Sequence, residues 1–527
     1  MKMSAVVNTI SNNDRRAFLQ WVALASVLGG SATALGSARR WASYPFAMGV
    51  ASGSPTPSGM VLWTRLIGWV PGADLVDVPV QYEVWELGSR EKTVAKGVET
   101  ARALLGHSVH AEVEGLRADR WYEFRFFVNG AESPVGRTRT LPALGSLAQR
   151  LRFAYASCQS WENGYYSAYK RMQQDNLDLV LFLGDYIYEY RSTSNPNAVR
   201  RHGMPHITSL QDFRDRYAIY RSDPLIQQMH ASCPWLLTWD DHEVENNYAG
   251  ELSTEGRVAE LPALRIAAYQ GYYENMPLSR HVLRRGLAGL LAKEPLRLHT
   301  TIDFGRLARF LVLDNRQYRD VPPCGSSPKP KLAAVCDTQQ RSRSMLGTAQ
   351  EAWFDQSLQA SSAIWNLVSQ QTLFTPSDYH RAPEQRTGSD TWAGFPQARQ
   401  RLIDGLVRSK ARNPLIIGGD IHQHWVAHVH QDPYDVSSPV VAAEFCGTSI
   451  SSPKDQPPEV TARQVANNPH CVYADAAYRG YGLVDITPKR AAVTLRAVRD
   501  VRDVNSEVFD LKAFEVEAGR SQIKVMS

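Results

Sequence analysis

The sequence of 527 residues lacks the features that most directly mark several protein classes. It has no internal repeat, no low-complexity tract and no run of basic residues with interleaved aromatic ones, so a nucleic-acid-binding patch is not predicted. None of its six cysteines stands in a Cys-x-x-Cys or Cys-x-x-Cys-His motif. The absence of these motifs argues against an exported redox enzyme that holds an iron–sulfur cluster or haem.

The composition is that of a folded protein with a large core. Hydrophobic residues make up 43% of the chain and charged residues 21%, and the length predicts two folded units rather than one. The net charge of +5 is modest, and part of it comes from Lys2, Arg15 and Arg16 near the N-terminus. The remaining charge does not indicate a polyanionic partner.

The first 38 residues have the pattern of an export signal. Arg15 and Arg16 precede Phe18 and Leu19, and a mildly apolar stretch then ends in small residues. This order predicts a twin-arginine signal peptide over residues 1–38, read by the twin-arginine translocation machinery and then cleaved. The alternative is an ordinary amphipathic first helix. The stretch is too short and too polar to span a bilayer, so no transmembrane anchor is predicted after cleavage, and the protein is expected to be periplasmic or secreted.

Two regions with different hydrophobic periodicity follow the signal. Residues 44–142 alternate apolar and polar positions, as in "VPVQYEVWEL", which predicts a small antiparallel β domain. Residues 150–504 alternate continuous apolar runs such as "LDLVLFLG" with helical segments, which predicts an α/β domain. In an oxidising compartment, Cys324 and Cys336 are the best candidates for a disulfide, because they flank a short loop.

Polar side chains follow four of the apolar runs at the point where each run ends. Cys158 follows "LRFAYAS", and Asp185 and Tyr188 follow "LDLVLFLG". The run "PLIIGG" is followed by Asp420 and His422. The run "PWLLTW" is followed by a string of acidic and amide residues and a histidine, namely Asp240, Asp241, His242, Glu243, Glu245, Asn246 and Asn247. Ligands of open α/β sheets gather beyond the carboxyl ends of strands, so these residues are expected to meet.

Such a gathering of carboxylates favours a metal site over a set of unrelated turn residues and helix caps. Several carboxylates at one sheet edge repel one another and are driven toward protonation unless a cation keeps them ionised. Thiolate, phenolate and imidazole suit a transition metal such as iron, whereas aspartate and asparagine oxygens suit calcium, magnesium or manganese. The mixture of donors therefore predicts two kinds of metal at one site.

The motifs resemble those of the alkaline phosphatase D (PhoD-type) family, a relative of the calcineurin-like metallophosphoesterases and purple acid phosphatases. "GDYIY", "WDDHEVENN" and "GGDIHQH" are similar to boxes of these enzymes. Cys158 at the end of the first strand, together with Asp241 and Asp420, matches the PhoD type in particular. So do the twin arginines and the opening "FAMGVASGSPTPSGMVLWTR".

This resemblance implies a fold and a ligand set. The fold would be an α/β (α+β) metallophosphoesterase four-layer sandwich of two mixed β-sheets flanked by helices, preceded by an immunoglobulin-like or fibronectin-like β-sandwich domain. Residues 505–527 would be a C-terminal segment that covers the site, or simply a packed terminus. The implied cofactors are Fe(3+), held by Cys158, Asp185, Tyr188 and His422 with Asp185 bridging, and Ca(2+), held by Asp241, Asn246 and Asp420. Asp240 or Glu245 are alternatives among the calcium ligands.

The resemblance also implies an activity, namely hydrolysis of phosphomonoesters and phosphodiesters at alkaline pH for phosphate scavenging. Metals of this kind activate water for in-line attack on phosphorus, with Asp185 at the reacting centre. His242 would protonate the leaving group or hold a phosphate oxygen, unless it only supports a neighbouring ligand through a hydrogen bond. The alternatives are a phospholipase D-type lipid phosphodiesterase and an exported binding protein that stores calcium. Arg316 would contact substrate phosphate or form a structural ion pair.

Overall fold

The computed structural model describes residues 41–526 except 71, 284–285, 287–288, 290–295, 323–331, 335–342, 381–385 and 455. The predicted signal peptide and both cysteines of the predicted disulfide, Cys324 and Cys336, lie outside the described residues. In the described ranges, every helix is too short or too polar to serve as a bilayer-spanning segment.

The N-terminal region is made of β-strands. These are β1 (Val50–Thr56), β2 (Gly59–Arg65), β3 (Val78–Glu86), β4 (Thr93–Ala101), β5 (Ser108–Val113), β6 (Trp121–Val128), β7 (Ala131–Glu132) and β8 (Gly136–Arg139).

The longer second region alternates strands with helices. Its first half contains β9 (Leu151–Ala156), α1 (Ser167–Met172), β10 (Leu179–Phe182), α2 (Leu210–Arg221), α3 (Pro224–His230), β11 (Trp235–Leu237), α4 (Leu261–Asn275), β12 (Thr300–Phe304), β13 (Ala308–Val312), β14 (Leu332–Ala334), α5 (Gly347–Gln359) and β15 (Trp365–Ser369). Its second half contains β16 (Asp378–His380), β17 (Arg386–Gly388), α6 (Pro396–Ser409), β18 (Pro414–Gly418), β19 (His424–His430), β20 (Val440–Cys446), α7 (Pro458–Asn467), β21 (Cys471–Asp475), β22 (Arg479–Ile486), β23 (Arg490–Val498), β24 (Val508–Glu517) and β25 (Ile523–Val525).

Two large mixed sheets organise this region. Among the described residues, sheet A has the strand order β25-β24-β23-β22-β9-β10-β11-β1-β2-β5, and sheet B has the order β12-β13-β15-β18-β20-β19-β21. Strands β9, β10, β11 and β1 run parallel in sheet A, and β13, β15, β18 and β20 run parallel in sheet B. The remaining strands of both sheets pair antiparallel, so the predicted mixed sheets are present.

The two sheets pack face to face, and helices cover their outer faces. Strand β10 is apolar throughout because both of its faces are buried. Leu179 and Leu181 lie in the core between the sheets, and Val180 and Phe182 pack under the helices. Across the core between the sheets, the rings of Phe153 and Phe310 lie 5.2 Å apart. Residues of α1–α4 join the core on the outer face of sheet A, and residues of α5 and α6 join that on sheet B.

The N-terminal region has two packed layers of strands, and one of these layers is continuous with sheet A of the second region. Its assignment as an immunoglobulin-like or fibronectin-like domain stays a prediction. Strands β1, β2 and β5 extend sheet A, and their inner side chains pack against the separate sheet of β3, β4, β6, β7 and β8. The junction is the parallel pairing of Gly53 with Trp235. A Cβ atom on Gly53 would lie 2.4 Å from the carbonyl oxygen of Pro277, so glycine is required for this close approach.

The described part of the C-terminal segment, 505–526, forms the edge of sheet A, and a role in covering the site stays a prediction. Strand β24 pairs with β23, and β25 pairs with β24. The alternating apolar residues Phe514 and Val516 are buried in the core between the sheets, which explains why the amphipathic pattern of this segment produces a strand.

Candidate metal centre

The side chains that follow the central parallel strands meet at one edge of the two sheets. Cys158 follows β9, Asp185 follows β10, Asp241 follows β11, and Asp420 and His422 follow β18. All except Asp241 have left-handed backbone conformations, with φ of 58°, 54°, 67° and 53° for Cys158, Asp185, Asp420 and His422. Each such conformation costs on the order of 1 kcal/mol and is typical of functional sites, where surrounding contacts hold it.

The first cluster contains the side chains with softer donor atoms. Ligand atoms of Cys158, Asp185 and His422 all lie within 4.8 Å of one another. The hydroxyl of Tyr188 donates to Asp185 Oδ2 at 3.1 Å and lies 3.3 Å from His422 Nε2. Ser452 Oγ lies 2.7 Å from the Tyr188 hydroxyl and fixes its position. The four residues predicted to bind iron are therefore neighbours.

The ring of His422 is oriented as a metal-binding imidazole would be. Its Nδ1 lies 2.9 Å from the carbonyl oxygen of Pro453, so an N–H at Nδ1 donates there and leaves the Nε2 lone pair facing the cluster. Burial and the positive charges of Lys454 and Arg479 lower the pKa of His422 to about 3. The imidazole is consequently neutral at neutral pH, which is the form that binds metals.

The second cluster contains oxygen donors. Carboxylate oxygens of Asp240, Asp241 and Asp420 lie within 4.8 Å of one another, and so do ligand atoms of Asp185, Asp241 and His242. Asp185 thus belongs to the first cluster and also contacts the second. This is the position that a bridging ligand requires.

The electrostatics of the first cluster call for a cation. Burial and the carboxylates of Asp241, Glu243 and Asp420 raise the pKa of Asp185 well above its ordinary value. Burial and Asp185 likewise raise the pKa of the Cys158 thiol. The buried Oδ1 atoms of Asp185 and Asp241 accept no hydrogen bond in the described part of the chain. Unsatisfied buried carboxylate oxygens are costly, and their position among further donors fits metal coordination.

Arg316 is part of the structural frame of the second cluster. Its fully buried guanidinium bonds to both oxygens of Asp240, to Asp390 at 2.5 Å and to Asp420 at 3.0 Å. Asp390 also accepts a bond from Arg319 at 2.7 Å. Of the two predicted roles for Arg316, the structure supports the ion pair. Asp390 was missed by the sequence reasoning, because it lies in a separate loop that no motif marks.

Glu243 joins the loops that carry the two clusters. Its carboxylate accepts hydrogen bonds from the backbone N–H groups of Asp185 at 3.0 Å, Tyr186 at 2.5 Å and Asp240 at 2.8 Å. Burial raises its pKa to about 7, although these donors oppose the shift. The loops are so close that a Cβ atom on Gly184 would lie 2.3 Å from the Asp240 nitrogen. Glu243 therefore positions ligands and is not itself directed at a metal.

Glu245 and Asn246 of the acidic string are also held by hydrogen bonds to other loops. Both oxygens of Glu245 are engaged, by Ser253 Oγ at 2.5 Å and by Arg257 Nε at 2.9 Å, and its role as an alternative calcium ligand stays a prediction. The backbone N–H of Asn246 donates to Glu189 Oε1 at 2.9 Å. This contact fixes the backbone of Asn246 beside the site, and its role as an oxygen ligand stays a prediction.

His242 lies between the clusters and the solvent-accessible cleft. Its Nδ1 lies 2.8 Å from Glu189 Oε2, and its ring is 4.2 Å from that of Tyr188. Burial lowers the pKa of His242, but the carboxylates of Glu189 and Asp185 outweigh it and place the pKa well above the ordinary value. Glu189 was missed by the sequence reasoning, although its place one residue after the "GDYIY" box was a usable signal.

A cleft of about 530 Å³ opens beside the first cluster. Tyr188, His242 and His422 line its inner part, and Tyr190 and Arg191 line its wall. A second cavity of the same volume borders β11 and β12, and none of the clustered side chains is among its described lining residues. The first cleft is therefore the route by which a substrate would reach the clustered side chains.

Comparison with known proteins shows one consistent similarity. Residues 153–495 match the family model for the PhoD-like phosphatase, and residues 30–142 match the model for the N-terminal domain of the PhoD-like phosphatase. Alkaline phosphatase D of Bacillus subtilis (strain 168) is 38% identical over 503 residues, which cover 93% of this chain and 84% of that protein. A solved structure of PhoD is 37% identical with a TM-score of 0.85, over 93% of this chain and 94% of that one.

Proposed function

The chain belongs to the PhoD-like phosphatase family, and we propose that it is a metal-dependent alkaline phosphatase that hydrolyses phosphomonoesters and phosphodiesters. Family membership confirms the resemblance stated from the motifs and the prediction of an enzyme that hydrolyses phosphoric esters. The observation that carries the proposal for this site is the convergence of Cys158, Asp185 and His422 within 4.8 Å, next to a second group of aspartates.

The donor chemistry supports two kinds of metal. Cys158, Asp185, Tyr188 and His422 would hold a ferric ion, and Asp241, Asn246 and Asp420 would supply oxygen ligands to calcium. Asp241 has the freest carboxylate of this group, because its Oδ1 accepts no hydrogen bond among the described residues, whereas both oxygens of Asp240 accept from Arg316 and those of Asp420 accept from Arg316 and Thr372. When bound, such metals withdraw charge from phosphoryl oxygens and lower the pKa of water, which is the chemistry that ester hydrolysis needs.

The chain's own residues supply positioning and a proton donor. Glu243 and Arg316 fix the positions of the loops that carry Asp185 and Asp240, so the ligand atoms are preorganised. His242 lines the cleft and is held by Glu189, which stabilises the protonated ring. We assign His242 the transfer of a proton to the leaving oxygen, since its place in the cleft favours this role over that of a purely supporting residue.

Two other functions are less well supported. A phospholipase D-type activity is not favoured, because the matched relative carries the name alkaline phosphatase D. A binding protein that merely stores calcium would have no use for Cys158, whose thiol suits a softer metal. Export through the twin-arginine pathway and a purpose in phosphate scavenging are part of the proposal and depend on the signal in residues 1–38.

The test is to purify the protein, determine its iron and calcium content and assay p-nitrophenyl phosphate and bis(p-nitrophenyl) phosphate before and after chelation. We expect both metals, hydrolysis of both esters, and loss of turnover when calcium is stripped, with recovery on its return. A protein that holds both metals but hydrolyses neither ester would refute the proposal and support the binding protein.

A further inference from the structure

The cleft beside the metal-ligand clusters is much larger than a phosphate group. Its volume of about 530 Å³ is that of a site for an organic molecule of moderate size. We call the part of its lining formed by Asn163, Arg191, Ser192, Thr193 and Ser194 the outer wall, and all five of these side chains are polar. The cleft therefore has room and hydrogen-bonding groups for the alcohol part of a phosphoric ester, which is the part that leaves.

The outer wall is held in place before any substrate binds. The buried carboxylate of Glu162 accepts bonds from Ser192 Oγ at 2.6 Å, from the backbone N–H of Thr193 at 2.8 Å and from that of His202 at 3.0 Å. The backbone N–H of Ser192 also donates to the carbonyl of Met204 at 2.8 Å. A wall fixed in this way loses little conformational entropy on binding.

Arg191 contributes the unpaired charge of this wall. Within the part of the chain that the structure describes, its guanidinium makes no hydrogen bond or ion pair, and the residue is exposed. The other ionisable groups of the cleft are already satisfied or neutral: Glu162 accepts three bonds, and His242 is paired with Glu189. Burial lowers the pKa of His202 to about 4, so its ring is uncharged at neutral pH.

Tyr190 lines the same cleft and provides a flat apolar surface near His242. The side chain is 39% exposed, and its ring lies 5.2 Å from that of His242 in an edge-on arrangement. An exposed aromatic ring in a polar cleft offers a stacking surface for a sugar or a base.

We propose that the site prefers phosphoric esters whose alcohol part carries a second anionic group, which the guanidinium of Arg191 binds while Tyr190 packs against the ring that joins the two groups. Arginine is suited to this because its planar fork forms charge-assisted bonds with phosphate or carboxylate oxygens. The inference rests on the proposed phosphatase function and adds the class of substrate. It makes Arg191 a residue of substrate recognition, without a role in the bond-breaking step.

The test compares adenosine 3′,5′-bisphosphate with adenosine 3′-monophosphate as substrates of the metal-loaded, full-length protein. We expect the wild type to have the higher kcat/KM for the bisphosphate. Arg191→Gln should lower the ratio of the two kcat/KM values about tenfold, the effect of one charge-assisted contact. Lys170→Gln removes the same charge from the exposed face of α1, outside the cleft, and should leave the ratio within about twofold.

Equilibrium binding of adenosine-5′-carboxylic acid, which carries the second anionic group but has no ester bond to hydrolyse, gives a readout that does not depend on turnover. Its affinity should fall about tenfold in Arg191→Gln and stay unchanged in Lys170→Gln. A wild type that hydrolyses p-nitrophenyl phosphate but shows no preference for the bisphosphate would overturn the inference and leave the proposed function standing. If wild type and Arg191→Gln preferred the bisphosphate to the same extent, the inference would also be overturned and the proposed function would still stand. If no phosphoric ester is hydrolysed, the proposed function fails, and the inference fails with it.

Discussion

Replacing Glu243 with glutamine tests whether the two metal-ligand clusters depend on a single carboxylate that is not a ligand. In the native protein one oxygen of Glu243 accepts from Asp185 and Asp240, and the other accepts from Tyr186. Glutamine has nearly the same shape but only one acceptor oxygen. Whichever way its amide is turned, an NH₂ group faces at least one buried backbone N–H.

The expected magnitude follows from these contacts. A buried donor left without an acceptor costs about 1–3 kcal/mol, and the retained bonds are weaker because they no longer involve a charge. Together these losses should lower the free energy of unfolding by about 2–5 kcal/mol. The loop of Asp185 would also be free to move relative to that of Asp240, so bound iron and turnover should decrease together.

The assay combines thermal unfolding, metal analysis and hydrolysis of p-nitrophenyl phosphate. Glu444→Gln is a matched control, because Glu444 is equally buried and accepts from the backbone N–H groups of Phe374 at 2.6 Å and Thr375 at 2.9 Å. It joins no cluster of possible metal ligands among the described residues. Both variants should unfold at a lower temperature than the wild type, and only Glu243→Gln should lose iron.

Two results would refute this reasoning. If Glu243→Gln kept its full iron content and turnover, the carboxylate would contribute to stability alone, and the clusters would be held by other contacts. If Glu444→Gln lost iron to the same degree, metal loss would be a general effect of destabilisation.

Three further predictions address other parts of the site. Cys158→Ala should lose most of its iron, with turnover reduced at least about a hundredfold, while the circular dichroism spectrum stays native; wild-type activity would exclude the thiol as a ligand. His242→Gln should keep both metals and lower kcat by about 10²–10⁴, as expected for loss of a proton donor, and an unchanged kcat would limit His242 to a supporting role. Arg316→Gln should lower the free energy of unfolding by about 3–5 kcal/mol, because Asp240 and Asp390 lose a buried partner; unchanged thermal unfolding would show that these carboxylates are stabilised in another way.

The sequence predicted the central strands and the meeting of their polar ends well. Runs such as that of β10 are apolar on both faces, which is a strong local signal, and the carboxyl ends of neighbouring parallel strands must lie together. The proximity of Cys158, Asp185 and His422 follows from that rule and from the family resemblance.

Contacts between distant loops were beyond the reach of sequence patterns. Asp390 meets Arg316 only through the folded arrangement, and nothing in its neighbours along the chain marks it. Glu189 stands beside a motif, but its pairing with His242 joins two separate loops. The acidic string did not show which of its carboxylates bind backbone N–H groups, as Glu243 does.

The pairing of the N-terminal strands could not be predicted either. These strands alternate apolar and polar residues in the same way whether or not their sheet continues into that of another region. Their parallel contact with β11 is therefore visible only in the structure.

That pairing has a consequence for dissecting the protein. A fragment that begins after residue 142 would leave β11 at an open sheet edge, with its backbone donors and acceptors bare on the side that β1 occupies. An unpaired edge strand of this kind forms hydrogen bonds with strands of other chains, so such a fragment should aggregate instead of folding as an autonomous enzyme.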